Sequence, residues 1–222
     1  MTANLAISGP AYGPEAGGSP RQLIVLLHGL CADGNDLIGL APRWAGSLPH
    51  AEFVAPHAPF PCDMGPFGYQ WFSVSDSAPE SLLARVRAAA GILDAFIDAE
   101  LGKRELADAD LAFVGFSQGA MLSLHVAPRR THACAAVVGY SGMLVDGDSL
   151  AREIRSRPPV LLCHGDSDPV VPPQSLGQAE ATLSGLGVRV RAHMRPGLAH
   201  GIDEEGLRLG GDFLRGVFVA EG

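Results

Sequence analysis

Short, nearly unbroken apolar runs alternate along this chain with longer stretches in which apolar residues return every three or four positions. Gln22 to His28 is such a run; it ends in His-Gly and suits a strand buried on both faces. Phe53-Val54-Ala55, the run from Leu111 into Gly115, Ala133 to Tyr140, Val160 to His164 and Val188 to His193 have the same character. Between them, Leu37, Leu40, Ala41 and Trp44 recur at helical spacing from Asp36, and Pro49 closes that helix. Glu80 to Leu101 places Leu82, Leu83, Val86, Ala90, Leu93, Phe96 and Ile97 on one stripe of an amphipathic helix. Further helices are expected after the Leu111 run as far as Pro128, over Gln174 to Ser184, and from about Glu204 to Val219. Strand-length runs alternating with helical stripes predict an α/β protein, with a mostly parallel sheet covered by helices on both faces.

Residues 1–20, rich in Gly, Pro, Ala and Ser, predict a loosely held arm or an edge hairpin, leaving 21–222 as a single domain. The segment from Pro56 to Pro79 is crowded with Pro, Gly and aromatic residues and is expected to be a long ordered loop without regular structure.

Composition narrows the function classes. With 47% hydrophobic and 18% charged residues the chain can bury a substantial core and is not of disordered composition. A formal net charge of -8 argues against nucleic acid or an anionic membrane surface as the main partner. No apolar run approaches the roughly 20 residues of a membrane span, and no basic-then-apolar leader opens the chain. Cys31, Cys62, Cys134 and Cys163 lack C-x-x-C spacing, so free buried thiols in a reducing, cytoplasmic setting are expected, with no zinc site.

Chemistry enters at Gly115-Phe-Ser-Gln-Gly119, where a strand-like run turns into a helix-compatible segment. This is G-x-S-x-G in the strand–turn–helix context that lifts a serine hydroxyl to the apex of a tight turn. Downstream come Asp168, within His164-Gly-Asp-Ser-Asp-Pro-Val-Val-Pro172, and His200, within Leu198-Ala-His-Gly-Ile202. The order Ser, Asp, His is that of α/β-hydrolase triads, and each partner falls on the loop after a later strand. Ser117 needs a base to become a nucleophile, which His200 supplies, and Asp168 would hold the imidazole. Asp166 competes for the acid's role, since both lie on one loop; Asp168 is favoured because Pro169 fixes the chain there, whereas Asp166 suits a turn residue capping its own backbone. His28 and His164, each before a glycine at a strand end, read as buried structural histidines. His50, His57, His125, His132 and His193 lack a partner pattern. A developing oxyanion needs donors: the backbone N–H of Gln118, and that of Leu30 in Leu27-His-Gly-Leu-Cys-Ala-Asp-Gly34.

Together with Pro56-His-Ala-Pro59, Trp71-Phe72, Ala120-Met121 and Tyr140-Ser-Gly142, these segments resemble the phospholipase/carboxylesterase family of small α/β-hydrolases, which includes acyl-protein thioesterases and bacterial carboxylesterases. The resemblance runs from about Arg21 to Phe218. It implies an α/β-hydrolase fold without a large cap domain and with no metal or organic cofactor. It also implies Ser117, Asp168 and His200 as triad, with Leu30 and Gln118 as oxyanion donors. It puts Trp71 beside the acyl pocket, although a core aromatic fits that position too. Related enzymes often dimerise, so a homodimer stays open. One departure is Ala199, where the family often has glycine before the triad histidine; alanine resists positive φ, which bears on how His200 is set.

The expected substrate is a small-molecule acyl ester of small to medium length. A thioester or lysophospholipid substrate, transfer of the acyl group to another acceptor, and a non-catalytic binding role are the alternatives. Cys31 adjoins Leu30, so modifying that thiol is expected to crowd the oxyanion loop, unless it is packed and inert.

Overall fold

A computed structural model describes residues 7–76, 78–145 and 147–219. Seven strands form one sheet: β1 (Ala11–Tyr12), β2 (Gln22–Leu27), β3 (Ala51–Val54), β6 (Leu111–Phe116), β7 (Ala136–Tyr140), β8 (Val160–Gly165) and β9 (Val190–Arg195). Their spatial order is β1-β3-β2-β6-β7-β8-β9, and every pairing is parallel except that of β1 with β3. The helices are α1 (Gly34–Leu37), α2 (Ala41–Trp44), α3 (Pro79–Arg104), α4 (Gln118–Val126), α5 (Gly147–Glu153), α6 (Gln174–Gly185) and α7 (Glu204–Val219). None of them is long and apolar enough to cross a membrane.

The unbroken apolar runs follow from a sheet buried on both faces. Alternate residues of one strand enter different cores because successive side chains point to opposite sides. Leu23, Val25, Leu27, Leu111 and Phe113 join Leu93 and Ile97 of α3 on one face. Ile24, Leu26, Ala112 and Val114 meet Trp44 together with Leu207 and Leu214 of α7 on the other.

Four segments add to or depart from the sequence pattern. The helix expected from Asp36 is instead two single turns, α1 and α2, each continued by three residues of tighter 3-10 helix. Pro42, near the start of α2, lacks the N–H that would carry one helix through the whole stretch. The part of the arm that is described places Ala11 and Tyr12 as an antiparallel edge strand against Val54 and Phe53, while residues 1–6 lie outside the described residues. The 56–79 loop contains a small antiparallel pair, β4 (Phe60–Pro61) with β5 (Tyr69–Gln70). Helix α5 was not anticipated: its few apolar positions do not make a stripe.

Candidate active site

The carboxyl ends of β2, β6, β8 and β9 carry the chemistry-bearing residues on their loops, where ligands of open parallel sheets bind. Ser117 joins β6 directly to α4 with φ 53° and ψ -114°. Such a conformation is strained for a residue with a Cβ and persists only when its surroundings enforce it. Here they do. The Ser117 N–H donates to Tyr140 O of β7 at 2.8 Å, and Met121 N–H closes the first helical turn on Ser117 O at 3.0 Å. The flanking glycines are required by contact: a Cβ on Gly115 would stand 2.4 Å from the backbone of Gly119 and Ala120, and one on Gly119 would stand 1.9 Å from Leu27 O.

His200, on the loop after β9, directs Nδ1 to Asp168 Oδ2 at 2.7 Å. Its ring lies 4.9 Å, centroid to centroid, from that of Phe116, the residue preceding Ser117. Asp168 is wholly buried at its side chain, and its Oδ1 accepts the N–H groups of Val170 at 2.8 Å and Val171 at 2.9 Å. Burial alone would raise the pKa of this carboxyl. The hydrogen bonds from His200, Val171 and Val170 outweigh it and hold the group below the ordinary aspartate value. Asp166 is turned elsewhere: its Oδ1 accepts from Ser167 Oγ and from Gly197 N–H, both at 2.8 Å, which is the backbone-capping alternative.

The loop after β2 is held from beneath. His28 is fully buried; its Nε2 accepts the Ala58 N–H at 2.9 Å while Nδ1 faces Gly29 O at 2.7 Å, which places the proton on Nδ1. Burial lowers the pKa of this imidazole, against the raising influence of the Gly29 carbonyl. Trp71 has no exposed surface; its indole N–H donates to His28 O at 3.0 Å and braces the loop. Gln118 contributes a side chain that no local pattern marks out. Its Oε1 accepts the Trp71 N–H at 2.7 Å and its Nε2 donates to Phe72 O at 2.6 Å. With the side chain so engaged, the Gln118 backbone N–H remains a first-turn donor of α4 that no carbonyl of the helix can satisfy. Gln118→Ala would leave two buried backbone groups of the 71–72 segment without partners. The expected loss is about 2–4 kcal/mol of stability in urea titration.

Cys31 and Cys62 form a disulfide, which corrects the expectation of four free thiols. Spacing along the chain could not reveal it. The two cysteines meet because Cys31 N–H donates to Tyr69 O at 2.9 Å and Cys62 N–H to Gly68 O at 3.0 Å, folding the β4–β5 pair onto the Leu30 loop. Cys134 and Cys163 are free and buried, and burial pushes both thiols up to about 12, which makes them inert. Two of the four cysteines therefore no longer point to a reducing compartment. The disulfide closes a separation of 31 residues. Chain entropy puts its contribution at about 3–4 kcal/mol. Thermal melts with and without reductant, and of the Cys31→Ser/Cys62→Ser variant, are expected to show a matching drop in Tm.

A mostly parallel sheet covered on both faces, with a serine on a strained strand–turn–helix, defines an α/β-hydrolase. The phospholipase/carboxylesterase family model matches residues 15–217, and the chain belongs to that family. It is accordingly a carboxylic-ester hydrolase. It is 29% identical over 199 residues to the esterase YpfH of Escherichia coli, covering 88% of this chain and 82% of that protein. With acyl-protein thioesterase 1 of Schizosaccharomyces pombe it shares 30% identity over 193 residues, 82% of this chain and 84% of that one. Among solved structures, that of esterase PE8 superimposes with a TM-score of 0.90 at 41% identity, over 95% of this chain and 99% of the other.

Proposed function

We propose that the protein is a serine carboxylesterase cleaving small to medium acyl esters through an acyl-enzyme on Ser117. The 2.7 Å bond from His200 Nδ1 to Asp168 Oδ2, beside a serine held at positive φ, carries this reading. With Nδ1 protonated and bound to the carboxylate, His200 Nε2 is the basic nitrogen. It takes the Ser117 proton as Oγ attacks the acyl carbon. The N–H groups of Leu30 and Gln118 receive the negative charge on the carbonyl oxygen. Collapse expels the alcohol, which takes the proton back from His200, and the acyl group stays on Oγ. Water then repeats the attack with His200 as base, releasing the acid and free Ser117. Exposed apolar side chains at Met64, Phe67 and Tyr69 and at Val170 support an apolar acyl substrate. Both segments are bonded to the site, through Tyr69 O to Cys31 N–H and through Val170 N–H to Asp168.

Similarity to an acyl-protein thioesterase favours a second reading, in which the leaving group is a thiol. A p-nitrophenyl ester ladder from acetyl to palmitoyl, run beside one acyl thioester, separates the two. A short-chain optimum with slow thioester cleavage is expected. A long-chain or thioester optimum would replace the first reading by the second.

A further inference from the structure

His164, the penultimate residue of β8, stands one helical turn's spacing before Asp168 and is buried to 1% exposure. Its ring lies among Ala120, Leu124, Gly142, Leu176 and Ala179, around a void of about 10 Å³. That is too small for a ligand, so the polar edge of the ring serves something inside the protein. Nε2 lies 3.0 Å from Val171 O and 3.2 Å from Asp168 Oδ2. Both neighbours accept hydrogen bonds, so this nitrogen carries a proton; the other tautomer would press a lone pair against two oxygens.

We infer that His164 is a positioning residue for the acid of the site, holding the Asp168 carboxylate in place by its Nε2–H bond to the 168–171 turn and by its closeness to Oδ2. The inference rests on the triad reading proposed for Ser117, His200 and Asp168. The residue works in two ways. Its N–H ties down Val171 O, while Val171 N–H and Val170 N–H hold Asp168 Oδ1, so the 168–171 turn is anchored on both sides. Nε2 itself also lies 3.2 Å from Oδ2, the oxygen that receives His200 Nδ1 at 2.7 Å, a close polar contact beside the hydrogen bond to Val171 O. One carboxylate oxygen thus lies between two imidazoles, His200 on the solvent side and His164 on the core side. The uncharged ring of Phe116 packs against that of His200, and the α4 and α6 residues that line the void beside His164 (Ala120, Leu124, Leu176 and Ala179) are apolar.

The test compares three substitutions in the full chain, with short-chain p-nitrophenyl esters as substrate and Ser117→Ala as control. His164→Phe keeps the ring and removes the donor. His164→Gln returns an amide N–H near the place of Nε2, and His164→Asn carries its amide too short to reach. For His164→Phe, kcat is expected to fall about tenfold to a hundredfold with KM almost unchanged, as for a misplaced catalytic group. The acid limb of kcat/KM is expected at higher pH, since Oδ2 would then serve His200 alone. His164→Gln should recover most of kcat and return the limb towards its original position, and His164→Asn should not. If the Phe variant does not fold, the Gln and Asn pair decides by the same two readouts. A wild-type kcat and acid limb in His164→Phe, or equal kcat and limb in Gln and Asn, would overturn the inference while an inactive Ser117→Ala left the triad reading standing. An active Ser117→Ala would overturn both.

Discussion

Ser117→Ala is expected to lower kcat/KM on a short-chain p-nitrophenyl ester by at least about four orders of magnitude, the scale seen when a serine nucleophile is deleted. KM and the fold should be almost untouched, because the side chain is small and 7% exposed and the turn is held by backbone bonds to Tyr140 and Met121. The same residue makes a second measurement informative. At φ 53° alanine is as strained as serine, so Ser117→Ala should melt near the wild-type temperature. Ser117→Gly removes the Cβ and with it a strain of about 1–3 kcal/mol, against about 0.5–1 kcal/mol of added chain entropy. The glycine variant should therefore be both inactive and more stable, the two effects separating what the site needs from what the fold prefers. Hydrolysis that survives in the alanine variant would remove Ser117 from the mechanism.

How much of this was legible beforehand depended on whether the signal was local. The runs at Gln22 to Leu27, Leu111 to Phe116 and Val160 to Gly165 read as strands because burial on both faces leaves no polar position to confuse the pattern. Ser117 was visible because its turn demands glycine on both sides. Asp168 Oδ2 meets the His200 imidazole while Asp166 binds Gly197 N–H, a difference that spacing along the chain could not show. Contacts made across the sheet's edge left no such trace. The Cys31–Cys62 bond, the Gln118 clamp on residues 71 and 72, and the approach of His164 to Asp168 depend on where loops from different strands converge. His164 did carry a weak signal, standing four residues before the acid. That spacing acquires meaning only once the turn between them is known to fold back on β8.

Gly119→Ala tests the opposite limit, where local preference and tertiary contact disagree. Gly119 is the second residue of α4, and alanine there gains about 1 kcal/mol of intrinsic helix propensity. Its Cβ, however, would lie 1.9 Å from Leu27 O, 2.4 Å from Leu27 C and 2.8 Å from His28 O. All three are backbone atoms at the end of β2, a strand bonded to β3 and β6 on both sides, so no side chain can swing away. Relief requires that α4 or the end of β2 move, and either motion separates the Gln118 N–H from the Leu30 loop. The expected result is a loss of more than about 4 kcal/mol in stability, at the extreme of single substitutions. Any folded fraction should have kcat reduced about a hundredfold or more, as when an oxyanion donor is lost. Gly177→Ala is the matched control: it too is helical, in α6, and has nothing within 4 Å of its would-be Cβ. There the same change should stabilise by up to about 1 kcal/mol with activity unaltered. A Gly119→Ala protein with wild-type Tm and activity would mean that β2 and α4 do not approach as closely as the elbow requires, and the oxyanion arrangement proposed above would fall with it.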